Sequence, residues 1–140
     1  MKKIITAVVL TLFCIAGNAQ QKKFTDLVGR WEFVGEQNSG ACLEIVDSSN
    51  LILSYNGEKK KISTYKMDFT KSPIWFDFST EDTSSVVFVK SIMEIMNDGM
   101  IKWQLFIDEE RPNYFSSSKG ELLYLRKSNA NTNAIASNGQ

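Results

Sequence analysis

Apolar and polar residues alternate along eight successive segments of this 140-residue chain, with short turn sequences between them. Alternation with a period of two is the pattern of a β-strand that buries one face. Asn56-Gly57 is the strongest hairpin signal, because both residues tolerate the positive φ of a type I′ turn. The predicted strands, in chain order, cover residues 31–36, 41–47, 51–55, 59–69, 73–78, 85–96, 100–107 and 121–127.

Each of these strands has an apolar face that the fold must cover. Eight antiparallel strands can close into a barrel, which covers those faces and removes the exposed edges. We therefore predict an all-β fold, an eight-stranded antiparallel up-and-down barrel, with a short helical turn at residues 24–28. A two-sheet sandwich is the alternative, but the sequential hairpins favour the barrel. The irregular apolar phase of residues 85–96 predicts a β-bulge there.

The N-terminal stretch Met1–Ala19 has the pattern of a secretory signal peptide. Lys2 and Lys3 precede an apolar run that ends in the small residues of a cleavage site. Because the run is too short for a transmembrane helix, we expect a protein that does not span the membrane and is periplasmic or secreted. Phe13 stands where a lipobox has a small residue, so we expect cleavage after Ala19 rather than a lipid anchor at Cys14.

Cleavage would leave one domain, residues 20–127, and a polar tail, residues 128–140. The tail is rich in Asn, Ala and Ser and has one large apolar residue, so we expect it to be disordered. The chain has 16 basic and 16 acidic side chains, and loss of Lys2 and Lys3 leaves a net charge of −2. This balance argues against a nucleic-acid partner, which would require a clustered basic excess.

The composition excludes several kinds of catalysis. The chain has no His, so it has neither a Ser-His-Asp triad nor an imidazole metal site. Cys42 is the only thiol outside the signal peptide, which excludes an intrachain disulfide. We expect it to be a half-buried side chain, with intermolecular pairing as the alternative. Asp77 has no second carboxylate placed for acid–base work, and we expect it to face solvent or pair with a lysine such as Lys66.

Two runs of charged residues are expected to be solvated surface. Asp108-Glu109-Glu110, together with Glu81 and Asp82, offers oxygen ligands for a hard cation but lacks the spacing of a calcium loop. Lys59–Lys61 follows the Asn-Gly turn, where lysines protect a strand from edge pairing. Contact with an anionic polysaccharide or lipid headgroup is the alternative for the lysines. We expect no metal and no cofactor.

Five short motifs in order give the chain a family resemblance. They are Gly29-Arg30-Trp31, Tyr65–Asp68, Pro73–Phe78, Arg111-Pro112 and Leu123–Arg126. The first resembles the Gly-x-Trp signature that opens lipocalins and related calycin barrels. Taken together, the motifs resemble those of small secreted bacterial lipocalin-like domains, over about residues 24–127.

The resemblance implies how the barrel is closed at one end. In lipocalins the signature Trp packs against an Arg near the last strand, and Arg126 matches that position. Gly29, Trp31 and Arg126 are therefore the expected closing residues. A guanidinium can stack on an indole face and donate to nearby carbonyl groups, which gives the pairing a physical basis.

The barrel and its aromatic residues favour a binding function without catalysis. An eight-stranded barrel is either packed solid or holds one small ligand, and the sequence leaves both open. A cavity would bind a small apolar or amphipathic molecule. The alternative is a protein-interaction module, an inhibitor of a secreted hydrolase or an accessory subunit of a cell-envelope complex, acting through the loops Gln37–Gly40 and Asp108–Lys119. The inward residues expected to contact a ligand are Phe33, Tyr65, Phe76, Phe78, Trp103 and Leu105.

Overall fold

Eight antiparallel strands close into an up-and-down barrel in the computed structural model, which describes residues 21–35 and 40–129. Each strand pairs with the next along the chain, and the last pairs with the first. This confirms the barrel rather than the sandwich. In chain order the elements are α1 (Phe24–Leu27), β1 (Gly29–Phe33), β2 (Cys42–Asp47), β3 (Asn50–Tyr55), β4 (Glu58–Asp68), β5 (Ile74–Glu81), β6 (Val86–Ile95), β7 (Ile101–Phe106) and β8 (Glu121–Lys127).

The two ends of the barrel differ. We call the end where β1 begins and β8 ends the closed end, because α1 packs there. The opposite end, where the β3–β4 and β5–β6 hairpins turn, is the open end. Asn56 and Gly57 form the turn of the β3–β4 hairpin, with φ of 50° and 79°, as the Asn-Gly signal predicts.

The closed end is filled by side chains. Leu27 of α1 is fully buried in the core, and its carbonyl oxygen accepts a 2.7 Å hydrogen bond from Trp31 Nε1. Phe24 stacks on Tyr65, with ring centroids 6.3 Å apart. Burial of this much apolar surface holds the short helix against the barrel. The core residues at this end include Leu43, Ile45, Leu51, Phe76, Met93, Ile101 and Leu125.

β6 is a regular strand, so the bulge predicted for residues 85–96 is wrong. Its register is constant against both β5 and β7, and the register shifts lie in β2 and β4 instead. The apolar phase of β6 is irregular because both faces of its second half are covered. Met93 faces the interior and Ile92 the outer wall, and both are fully buried.

The connection between β7 and β8 folds back on the outer wall of the barrel. Gln104 of β7 holds it there from the outer face, where its side chain is buried. Its Nε2 donates to the carbonyl oxygens of Ser116 and Lys119, at 2.8 and 2.7 Å. Its Oε1 accepts from the Ser116 backbone N–H at 2.9 Å. The predicted loop Asp108–Lys119 is therefore fixed to the barrel at Ser116 and Lys119.

Three predictions fall wholly or partly outside the described residues. They concern the signal peptide Met1–Ala19, residues 37–39 of the loop Gln37–Gly40, and residues 130–140 of the tail. Within the described ranges, no helix is long and apolar enough to cross a membrane.

Candidate functional site

The open half of the barrel contains a cavity of about 530 Å³ that opens to solvent at the open end. The sequence left a packed interior and a ligand cavity as alternatives, and the two halves of the barrel differ in this respect. The closed half is packed and the open half is hollow. The apolar wall of the cavity is formed by Phe33, Leu53, Phe78, Val87, Val89, Trp103, Leu105, Ile107 and Leu123.

Trp103 is the aromatic centre of the cavity floor. Its ring stacks on Phe33, with centroids 6.3 Å apart, and on Phe76, with centroids 5.7 Å apart. Its Nε1 donates a 2.8 Å hydrogen bond to Ser91 Oγ, and the Ser91 hydroxyl donates to the Phe76 carbonyl oxygen. The indole is fully buried, and the Trp103 N–H and the Ser91 hydroxyl are both hydrogen-bonded. The floor therefore presents an apolar surface to the cavity.

Polar and charged side chains form the rim at the open end. Lys60 Nζ lies 3.4 Å from Asp82 Oδ2 and 3.9 Å from Glu58 Oε2. Glu121, at the start of β8, also lines the rim. A bound molecule would therefore meet an apolar wall deep in the cavity and charged groups of both signs at its entrance.

Four of the six residues predicted to contact a ligand line the cavity, namely Phe33, Phe78, Trp103 and Leu105. The other two do not line it. Phe76 is fully buried below the floor. Tyr65 lies at the closed end, where its hydroxyl donates to the Ser48 carbonyl oxygen at 2.6 Å. Burial, with a smaller contribution from the nearby Asp47 charge, raises the pKa of Tyr65 and keeps this donor protonated.

Sequence reasoning missed several residues of the site. Leu53, Val89 and Leu123 stand at inward positions of their strands, and a count of alternate positions from the open ends would have found them. Ser91 was missed because a polar residue at an inward position gives no apolar signal. Lys60 was missed because the register shift between Ile62 and Thr64 reverses the phase of β4.

The closing residues at the other end differ from the expectation in one position. Arg126 is exposed on the outer face and stands opposite Glu32, so its predicted packing on Trp31 is wrong. Lys127 takes that place, because Trp31 and Lys127 are register partners, with Nζ 5.4 Å from the indole centroid. Gly29 makes room for it, since a Cβ there would lie 2.8 Å from Lys127 Cε.

Asp77 is paired with Arg111 of the long connection rather than with Lys66. Lys66 stands opposite Asp77 in the register, but the ion pair is made by Arg111 Nη1. The guanidinium also stacks 3.9 Å above the Trp75 ring. Both charged side chains are largely buried, so this cluster anchors the connection to the outer wall and belongs to the scaffold.

Three other carboxylates stabilise turns. Hydrogen bonds to the charged carboxylate lower the pKa of each of them. The main donor is the Asn50 side chain for Asp47, the Thr70 hydroxyl for Asp68 and the Thr83 backbone N–H for Asp82. None of the three lines the cavity. A general acid at neutral pH needs the opposite shift, so these groups do not form an acid–base site.

Cys42 is fully buried and unbonded, which corrects the half-buried prediction and leaves no route to intermolecular pairing in the folded protein. The acidic residues predicted as alternative cation ligands do not converge. Glu110 pairs with Lys90 and Asp82 with Lys60. In the part of the chain that the structure describes, no three His, Cys, Asp or Glu side chains are close enough to hold a metal ion.

The architecture of the barrel bears on the family resemblance of the sequence. Its strand number, order and direction are compatible with the lipocalin resemblance. Of the residues expected to close the barrel, Gly29 and Trp31 lie at the closed end as that resemblance implies, and Arg126 does not pack there. Comparisons with protein-family models, with curated proteins and with solved structures find no match for this chain.

Proposed function

We propose that this protein binds a small apolar or amphipathic molecule in the open half of its barrel, as lipocalins do, and does not transform it. The cavity is the observation that supports this proposal. Ligand pockets typically enclose about 300–1,000 Å³, with mainly apolar walls and few polar groups. A volume of about 530 Å³, an aromatic floor and a single charged rim meet that description.

The rim favours a ligand with one polar end. The apolar body of such a molecule would contact Phe33, Leu105 and Leu123, while its polar end would remain near Lys60 and Glu121. Burying a charged group in the wall would be costly without a partner, so the polar end belongs at the entrance.

The absence of catalysis and the location of the protein are part of the same proposal. The sequence has no His, and the carboxylates with shifted pKa lie in turns outside the cavity. The signal-peptide pattern of Met1–Ala19 supports a periplasmic or secreted protein.

The alternative is an interaction module that acts through Gln37–Gly40 and Asp108–Lys119. It has less support in this form, because Gln104 and Asp77 fix the second loop to the outer wall at Arg111, Ser116 and Lys119.

A cavity-filling variant tests the proposal. Leu53→Trp places a larger side chain in the wall, and Val46→Trp places the same side chain on the outer surface, where Val46 is half exposed. The probe is 1-anilinonaphthalene-8-sulfonate, titrated by calorimetry, with circular dichroism to check the fold. We expect Leu53→Trp to weaken binding by about tenfold or more and Val46→Trp to leave it unchanged. Equal binding by the two folded variants would contradict a site in the barrel.

A further inference from the structure

β6 extends beyond the end of β7 at the open end of the barrel. The pairing of the two strands stops at Lys90 and Phe106. Asp108 then adopts a left-handed conformation, with φ of 56°, as the chain leaves β7. Val86–Val89 therefore pair with β5 on one side, and no strand in the described part of the chain pairs with their other side. This free strand edge is about 13 Å long.

A groove of about 610 Å³ lies along this edge. We call it the β6 notch, with Val86–Phe88 and Lys90 on one side and Phe106–Glu110 on the other. Val86, Phe88 and Ile107 are each more than half exposed. Native strand edges usually carry a charged residue, a proline or a bulge that prevents pairing. Val86–Val89 has none of these, so its free backbone edge and the exposed side chains of Val86 and Phe88 remain open to another strand.

The second side of the notch is acidic. Asp108, Glu109 and Glu110 follow one another along it. Lys90 is the one basic residue among the lining residues, and it lies 3.4 Å from Glu110. Two of the three carboxylate charges are therefore not offset by a basic residue of the notch.

We propose that the β6 notch binds an extended segment of a partner protein, rich in apolar and basic residues, as an added β-strand. Backbone groups of the segment would pair with the free edge of Val86–Val89. Its apolar side chains would cover Phe88 and Ile107, and its Lys or Arg side chains would face Asp108 and Glu109. The site lies beside the cavity entrance and shares Val87 and Ile107 with the cavity wall.

The negative charge on the acidic side of the notch favours one of the possible occupants over the others. A second copy of this chain would bring its own Asp108–Glu110 to the same place, and like charges would oppose pairing. The remainder of the chain after residue 129 contains no Lys or Arg, and it follows Lys127 at the closed end. A basic segment of another protein is therefore the occupant that fits.

Peptides of designed sequence test the proposal directly. The purified protein is titrated with a fluorescein-labelled hexapeptide of alternating Lys and Val, and with the matching Glu and Val peptide as control. We expect the basic peptide to bind about tenfold more tightly or better. Two further basic peptides carry N-methyl groups on every Lys or on every Val. Because an added strand pairs through one edge, one of them should lose about tenfold in affinity while the other keeps it.

Variants of the notch provide the matched control. Asp108→Asn with Glu109→Gln removes the two charges that Lys90 does not offset, and Asn tolerates the left-handed conformation at position 108. The glutamine that replaces Glu109 can still accept the hydrogen bond from the Gly120 N–H. Glu32→Gln with Glu94→Gln removes two exposed charges elsewhere. Only the first pair should weaken the basic peptide, and hydrogen exchange should slow at Val86–Val89 when the peptide binds. Equal binding of acidic and basic peptides, or an equal effect of the two N-methyl patterns, would overturn the proposal. A dimer that protects Val86–Val89 would also overturn it.

Discussion

The indole N–H of Trp103 donates a 2.8 Å hydrogen bond to the hydroxyl of Ser91, across the interface of β6 and β7 inside the barrel. The Ser91 hydroxyl in turn donates a hydrogen bond to the Phe76 carbonyl oxygen of β5. The Ser91 side chain thus accepts the hydrogen bond of Nε1, the one polar side-chain atom of Trp103. The floor would otherwise contain an unpaired donor, which is costly in an apolar interior.

Ser91→Ala is expected to destabilise the protein by removing this acceptor. The indole N–H would remain buried without a partner, a loss of about 1–3 kcal/mol in the free energy of unfolding. Urea denaturation followed by fluorescence measures it. Ser84→Ala, in the exposed β5–β6 turn, is the control and should change stability by less than about 0.5 kcal/mol. Equal stabilities of the two variants would contradict the assigned bond.

At the closed end, Lys127→Ala is expected to have an effect that depends on Gly29. Lys127 lies over Trp31 beside Gly29, where an added Cβ would lie 2.8 Å from Lys127 Cε and would have to shift the lysine side chain. We expect Lys127→Ala to cost about 0.5–1 kcal/mol in the natural sequence. In a Gly29→Ala background the lysine is already displaced, so the same change should cost nearly nothing.

Arg126→Ala is the matched control for that cycle. Arg126 is exposed and points away from Trp31, so its removal should have the same small effect whether residue 29 is Gly or Ala. Thermal unfolding of the six proteins measures both couplings. A coupling between positions 29 and 126, with none between 29 and 127, would show that Arg126 rather than Lys127 packs on Trp31.

The closed end also shows how far the sequence predicts this fold. Alternation and turn residues predict eight strands and their order, because these signals are local. The choice between Arg126 and Lys127 is not local. It depends on which face of β8 turns inward, and that is set by the pairing of Lys127 with Trp31 across the barrel seam.

The residues that line the cavity are likewise only partly predictable from the sequence. Phe33, Phe78 and Trp103 are predictable as inward aromatics, but their height in the barrel is not. Phe76 and Phe78 have the same inward phase on β5, yet Phe76 lies below the floor and Phe78 lines the cavity. Height depends on the stagger of neighbouring strands, and the register shift in β4 changes it by one residue.

Asp77→Asn is expected to release the long connection from the outer wall. The change leaves the largely buried Arg111 guanidinium without its carboxylate, at a cost of about 1–3 kcal/mol. Chymotrypsin cleavage after Phe115 should become faster, and mass spectrometry of the fragments measures the rate. Lys66→Ala removes the register partner of Asp77 and should leave the cleavage rate unchanged. Faster cleavage in Lys66→Ala alone would show that the register partner makes the important contact.

Stability is expected to fall in acid because of the turn carboxylates. Hydrogen bonds in the folded protein lower the pKa of Asp47, Asp68 and Asp82 below that of an unfolded Asp, about 3.9. A lowered folded pKa means that the unfolded chain binds protons first as pH falls. The contribution of these groups is thus complete above the unfolded pKa and is lost as pH drops through the lower folded value.

The melting temperature should therefore be flat from neutral pH to about 5 and should decrease below pH 4. Asp68→Asn keeps a side chain that can accept from Thr70 but cannot titrate, so its melting temperature should decrease less steeply over that range. Asp98→Asn, which removes a carboxylate from the β6–β7 turn, is the comparison. A parallel decrease in Asp68→Asn and the natural protein would show that the acid sensitivity arises from other carboxylates.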